Sequence, residues 1–392
     1  MDKHIDDGME QKKRRRPGRG AARRVAATAV TLLTVTGLAV TTAGCSPALA
    51  TLRTAQPAAP AWRIVKQVHS GPDSGFSVVI AAGKNGGWAF DRGSGGTGAP
   101  TAWRRSGSSP STWTQVPFPG QSTESVVAAR AISANDVWVF TASLNRSRVL
   151  RWNGHTWTVQ RSFGQEIAGA AVISPADIWV FGQPFFPGPG LGAWHYDGRT
   201  WSRVASGHGL EGGRALSAND VWAFDGADVA HWNGVTWSRT SVASLLPAKQ
   251  QFSEPMLTGI LALSRHDVYA TANGFREDEG GPTVLLHWDG HRWSKVAGGD
   301  FGFGGLPVQQ MSSDGHGGLW LPMPGTSSEK SYLLHYSGGH LTAATLPGGP
   351  FRISIYTVAL IPGTDSALAG GATHAPGNPG AGNTAVLLQY GM

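Results

Sequence analysis

The chain has 392 residues, of which 41% are hydrophobic and 15% charged, and it carries a net charge of +7 and a single cysteine. Residues 1–24 hold nine Lys or Arg against four Asp or Glu, a local net of +5 that leaves only about +2 for everything after them. The basic character therefore belongs to a leader, and the remainder lacks the basic stripe that nucleic acid as a partner would require. One cysteine also excludes any disulfide within the chain.

In chain order, the charged n-region 1–24 is followed by Val25 to Gly44, a run of 20 residues without a charge and rich in Ala, Thr, Val and Leu. Thr42-Ala43-Gly44 then leads into Cys45. A basic n-region, an apolar stretch and small residues before a cut describe an export signal over 1–44. The arrangement resembles a bacterial lipoprotein signal, which implies a lipidated Cys45 as first mature residue, a membrane contact through that lipid and a position on the extracytoplasmic side of the cell membrane. Thr42 stands where that signal usually has an aliphatic residue, so an uncleaved single-span anchor over 25–44 is the alternative; 20 residues at helical rise just cross a bilayer. Residues 45–60 include the Ala/Pro-rich Ser46 to Pro60 and read as a tether.

From residue 61 to 392 the chain repeats itself with a period of roughly 45 residues. The plainest units pair AISANDVWVF with LRWNGHTWTV, AVISPADIWVFG with WHYDGRTWSRV, ALSANDVWAF with AHWNGVTWSRT, and LALSRHDVYAT with LLHWDGHRWSKV. Degraded units surround Gly87-Trp88, Leu319-Trp320 and Ser366-Ala367-Leu368. Each unit predicts four short strands. Asn153-Gly154, Asp197-Gly198, Asn233-Gly234 and Asp289-Gly290 mark the last hairpin and predict the positive φ angles of a two-residue turn. Ser133/Asp136, Ser174/Asp177, Ser217/Asp220 and Ser264/Asp267 offer side-chain acceptors for the turn between first and second strands.

Tandem four-stranded units predict an all-β, seven-bladed β-propeller of antiparallel blades. The last unit stops at Tyr390-Gly391-Met392, before any fourth strand, whereas Ala61-Trp62-Arg63-Ile64-Val65 matches a fourth-strand pattern ahead of any complete unit. The N-terminal strand is expected to complete the last blade, which hides sheet edges. Fifteen of the 16 Trp fall at or beside repeat positions, as blade-to-blade packing requires; Trp194 is the exception.

The pattern S-x-x-D-V-W followed by H-W-[ND]-G-x-x-W resembles the repeats of secreted bacterial proteins of the Kelch or galactose-oxidase-like propeller superfamily, over essentially all of 61–392. The resemblance implies fold rather than activity, because the residues that carry it build turns and packing. Galactose oxidase chemistry needs a tyrosine cross-linked to a cysteine beside copper, and no cysteine lies in the repeats. Ser312 to Trp320 has the Ser-x-Asp of a sialidase Asp-box without its Gly and Trp spacing, and is also similar to a blade of periplasmic sensor propellers.

His195, His231, His287 and His335 recur in the third strand, one per blade, and are expected to hydrogen-bond between blades rather than converge on a metal. No cofactor or metal site is expected. There is no G-x-S-x-G, no HExxH and no G-x-x-x-x-G-K. The long, variable connections (Asp91–Ala99, Gln183–Gly192, Ser241–Thr258, Asn273–Pro282, Gly298–Leu306 and Gly370–Asn383) all belong on one face, which is where a site is expected. On it Glu124, Glu166, Glu211, Glu254 and Asp300 lead into first strands near the channel mouth, and Arg130 and Arg214 sit in first strands. Two acids flanking a sugar would suit a polysaccharide hydrolase or lyase, which makes Glu124, Glu166, Glu211, Asp300, Arg130 and Arg214 the catalytic candidates. Phe185, Phe186, Phe301 and Phe303 are binding candidates. The expected function is a surface-tethered, non-catalytic propeller that binds an extracellular protein or glycan; the alternatives are the hydrolase or lyase and an envelope assembly scaffold.

Overall fold

A computed structural model describes residues 60–391, apart from 70, 72–73, 93–97, 144–145, 183–189, 207–208, 249–253, 275–281, 301–309, 324–330, 349–352 and 374–382. Seven antiparallel sheets of four strands each make up a seven-bladed β-propeller. The one helix among the described residues is a three-residue 3-10 turn, Ala243–Leu245. Blade 2 is representative: Ser125–Ser133, Asp136–Ser143, Arg146–Trp152 and Trp157–Phe163 pair in sequence order. The first strand of each blade lines the central cavity.

Blade 7 is stitched from both ends of the chain. Its inner strands are Ile353–Leu360, Ala367–Thr373 and Thr384–Tyr390, and its outermost is Arg63–Val68, which runs from Arg63 opposite Gln389 to Val68 opposite Ala385. The expected closure is therefore the observed one. Trp62, just before that strand, is buried to 4% exposure and meets Trp320 at 5.3 Å and Tyr390 at 5.4 Å.

The recurring tryptophans join one blade to the next. The second-strand aromatic of blades 1 to 6 packs on the aromatic that ends the third strand of its neighbour, and in blades 1, 3 and 4 also on the one that opens the fourth strand. Trp88 lies 5.4 Å from Trp152 and 5.3 Å from Trp157, and Trp179 lies 5.9 Å from Trp232 and 6.1 Å from Trp237. Trp222 lies 5.8 Å from Trp288 and 6.2 Å from Trp293. Trp138 with Tyr196, Tyr269 with Tyr336 and Trp320 with Tyr390 continue the series. Such edge and tilted ring pairs add to the large apolar area each ring removes from water. Trp194, outside the repeat pattern, packs on Phe163 at 5.4 Å between blades 2 and 3.

The turns differ from expectation in one respect. Of each Asn-Gly or Asp-Gly pair only the glycine takes a positive φ, 99° at Gly154 and 91° at Gly198. The preceding residue acts as a side-chain acceptor instead: Asn153 Oδ1 takes the N–H of His155 at 3.0 Å and of Thr156 at 2.9 Å. A short polar side chain that satisfies two turn N–H groups makes a left-handed Asn unnecessary. In the Ser-x-x-Asp turns the serine alone caps the turn, as when Ser133 Oγ accepts from Asn135 N at 3.2 Å.

The aspartate is left to serve the histidine in blades 3 to 5, while in blade 6 Asp314 serves both, one oxygen taking the N–H groups of His316 and Gly318 and the other meeting His335. His195 Nε2 lies 2.8 Å from Asp177, His231 2.9 Å from Asp220, His287 2.8 Å from Asp267 and His335 2.8 Å from Asp314. Each partner is in the same blade, which corrects the expectation of a bond between blades; in blades 3 to 5 the aspartate opens the second strand, which pairs directly with the third strand that carries the histidine. The rings also stack on the second-strand aromatics, His231 on Trp222 at 4.2 Å. Arg151 fills the same place in blade 2, bonded to Asp136 and over Trp138 at 5.1 Å.

Closure makes Trp62 a test of the stitched blade. Trp62→Ala is expected to lower unfolding free energy by about 3–5 kcal/mol, read by urea denaturation.

Candidate functional site

First strands are rich in Ala and Gly because neighbouring blades crowd together at the axis. A Cβ on Gly169 of blade 3 would sit 3.1 Å from the Gly212 Cα of blade 4, and one on Gly213 would sit 2.7 Å from the Phe181 ring. Small residues there leave a central cavity of about 620 Å³, lined by the first strands of all seven blades. Most of its lining side chains are small or apolar; Arg130, Arg214, Glu211, Gln310, Ser312 and Ser313 are the polar ones.

Register sets these groups at a definite height. Arg130 stands opposite Trp138 in blade 2 and Arg214 opposite Trp222 in blade 4, with Ala171 opposite Trp179 in the blade between. The same layer is completed by Ile80, Leu261, Ser312 and Ala359. Ser312 Oγ accepts from Leu360 N at 3.0 Å, and Gln310 Oε1 accepts from the Thr357 hydroxyl at 2.6 Å, so both are used in stapling blade 6 to blade 7. The arginines are not used in that way. Arg214 donates only to the carbonyl of Gly213, at 3.3 Å, and no ion pair of either guanidinium occurs among the described residues. Burial, with the charge of Arg130 added, pushes Arg214 down to about 10.

The acidic candidates separate. Glu124 is buried against Arg148, whose Nε donates to one carboxylate oxygen at 2.7 Å and whose Nη2 donates to the other; Gln121 N adds a bond at 3.1 Å. Arg148 also reaches the Pro119 carbonyl at 2.8 Å, so the pair clamps the connection between blades 1 and 2, where Thr123 is held at a φ of 70°. Glu166 is half-buried in the connection to blade 3, and burial alone raises its carboxyl above the ordinary range. Glu211 lines the mouth of the cavity. Burial and then the charge of Asp225 raise its carboxyl, while the Gly226 N–H opposes the rise. Asp225 is itself 3.4 Å from Arg239. The backbone of Asp300 ends the outermost strand of blade 5 opposite Pro282. Cys45, Phe185, Phe186, Phe301 and Phe303 lie outside the described residues.

Three contributors escaped the repeat pattern: Arg148, Asp225 and Arg239. Arg148 had a legible signal, an arginine in a third strand at a place where no other blade has a cation and blades 5 and 7 hold Val284 and Val386. Among the described residues no cluster of three or more metal-ligating side chains occurs.

No protein-family model and no curated protein matches the chain. Solved structures share the fold. The extracellular domain of a hybrid two-component system from B. thetaiotaomicron superposes with a TM-score of 0.55 at 11% identity, over 84% of this chain and 39% of that one. The WD40 repeats of RRP9 give 0.54 at 14% identity, over 85% and 99%. A GH74 enzyme from Niastella koreensis gives 0.50 at 13% identity, over 79% and 53%. The chain thus spans well under half the length of the two-component protein chain it matches. Such identities reach the propeller architecture and stop there.

Two outcomes follow from the acids. Arg148→Met leaves the Glu124 carboxylate buried without a cation and is expected to cost about 3–5 kcal/mol in denaturant unfolding, most of it recovered in the double variant Glu124→Leu/Arg148→Met. For Glu211 the folded-state carboxyl titrates above its unfolded value, so the native state holds the proton more tightly and stability falls as pH rises above about 4. Glu211→Gln is expected to raise the melting temperature at about pH 7, with the gain fading at about pH 4.

Proposed function

We propose that this chain is a surface-tethered, non-catalytic propeller that recognises an extracellular protein or glycan through its long-loop face, held to the membrane by a lipid on Cys45. We infer further that it is of the Kelch or galactose-oxidase-like kind, on the strength of its repeat pattern. The observation that carries the binding reading is the use already made of its reactive side chains. The recurring Trp, His and Asp are spent on joining strands and blades, and Glu124 is neutralised by Arg148. What varies among the units is the set of connections on the opposite face, held by rigid strand ends. The fold likeness to an extracellular domain of a two-component system is in keeping with such a role.

A second reading, hydrolysis or lysis of an extracellular polysaccharide, has one observation in its favour. Glu211, with a raised carboxyl, lies close enough to Asp225 to feel its charge, and the two could divide the roles of acid and base. Against it, Asp225 is drawn toward Arg239 within its own blade.

The full chain in detergent, applied to a glycan array and to purified envelope proteins, is expected to retain one ligand class at about micromolar Kd. Shortening the 183–191 connection should abolish retention, and no reducing ends should appear. Failure to retain any ligand overturns the proposal. So does release of reducing ends that Glu211→Gln eliminates, which transfers the case to the second reading.

A further inference from the structure

We propose that the central channel is a binding site for a small organic oxyanion, a carboxylate or a phosphate ester, whose charged group is gripped by Arg130 and Arg214 together over Ala171. This goes beyond the long-loop reading and does not depend on it.

Two guanidinium groups at one level of one cavity, on alternate blades, repel each other, and the channel wall partly withdraws Arg214 from bulk water. A protein that keeps such a pair ordinarily offsets it with a carboxylate. The one acid in the cavity lining, Glu211, accepts from the Gly226 N–H and forms no ion pair with either arginine among the described residues. The charge of the pair is thus left for something that enters the channel. Guanidinium forks suit planar or tetrahedral oxyanions because each can give two parallel N–H bonds to a pair of oxygens.

The geometry around them is that of a seat. Ala171, between the two arginines, has only a methyl group to obstruct an approaching oxyanion. Ile80 and Leu261 flank the arginines on the two outer sides, and Ser312 and Ala359 complete the layer across the axis. An apolar body attached to the oxyanion would find Ile80, Leu261 and Leu263 to lie against. A cavity of about 620 Å³ is in the size range of small-molecule sites. Arg130 is exposed into this space and Arg214 half-buried, so both remain reachable by a solute.

The arginines also depart from the repeat in a way packing does not require. At the corresponding place the other blades manage with Ile80, Ala171, Leu261, Ser312 and Ala359, and no interblade bond is formed by either guanidinium among the described residues.

The test is calorimetric titration of the full chain in detergent, at constant ionic strength in sodium chloride, with inorganic phosphate, acetate and octanoate. Saturable one-site binding of at least one probe is expected. Arg130→Gln and Arg214→Gln should each weaken it about tenfold or more, the worth of a charge-assisted hydrogen bond, while Arg292→Gln on an exposed turn leaves it unchanged. Octanoate tighter than acetate and phosphate assigns a carboxylate with an apolar body; phosphate tightest assigns a phosphate ester. The unliganded melting temperature of Arg214→Gln should equal or exceed that of the parent, because an uncompensated buried charge has been removed. Absence of saturable binding by all three probes, or affinity unchanged in both variants, overturns the proposal. A fall in melting temperature of both variants with probe binding intact gives the arginines a structural role and overturns it equally.

Discussion

A four-stranded sheet has two faces to cover and no means of covering them alone, so everything in this ring depends on how one blade holds the next. The second-strand tryptophan does that work. At Trp88, Trp179 and Trp222 it enters the neighbouring blade between two aromatic rings. The histidine or arginine stacked on it, itself fixed by an aspartate, keeps the indole in place. Wedge, stack and anchor form a unit that is repeated with its chemistry slightly varied, and the repetition sets the spacing of the blades and the width of the channel they enclose.

The variation is informative where the unit fails. At the interface between blades 7 and 1 the wedge is Leu368, which reaches toward Trp113, and Arg105 takes the third-strand position that is aromatic elsewhere. Its Nη1 donates to Gln389 at 2.8 Å. A directional polar bond has replaced an aromatic contact at the one junction where the strand closing the blade arrives from the other end of the chain. Polar pairs of that kind specify register more sharply than apolar ones, since a slip leaves a buried charge unmatched.

Much of this architecture was legible from residues alone. The period, the S-x-x-D and N-G or D-G turns and the orphan strand around Trp62 predicted seven blades and a stitched seventh, because turns and ring packing impose the same residue at the same place in each unit. The partner of each third-strand histidine was not legible: the aspartate had an equally good local use in its turn, and only the fold shows serine taking that role. The lining of the cavity was legible in part, through the arginines of the first strands. It was not legible as a set of partnered and unpartnered charges. Glu124 and Glu211 look alike in sequence, each leading into a first strand, yet one meets an arginine from a third strand and the other a neighbouring aspartate. Such differences arise from residues outside the repeat pattern.

The stitched blade also orders events in time. Arg63–Val68 is among the first parts of the propeller to be made, yet the strand it pairs with, Thr384–Tyr390, is among the last. Six blades can assemble from neighbours in sequence, each contact closing a short loop, while the seventh must bring together distant segments at a greater entropic cost. Until the last strand arrives, the molecule is an open arc with the edge of Arg63–Val68 unpaired. A chain made from its N-terminus would thus hold its ring open throughout synthesis and shut it only once the last strand has been delivered.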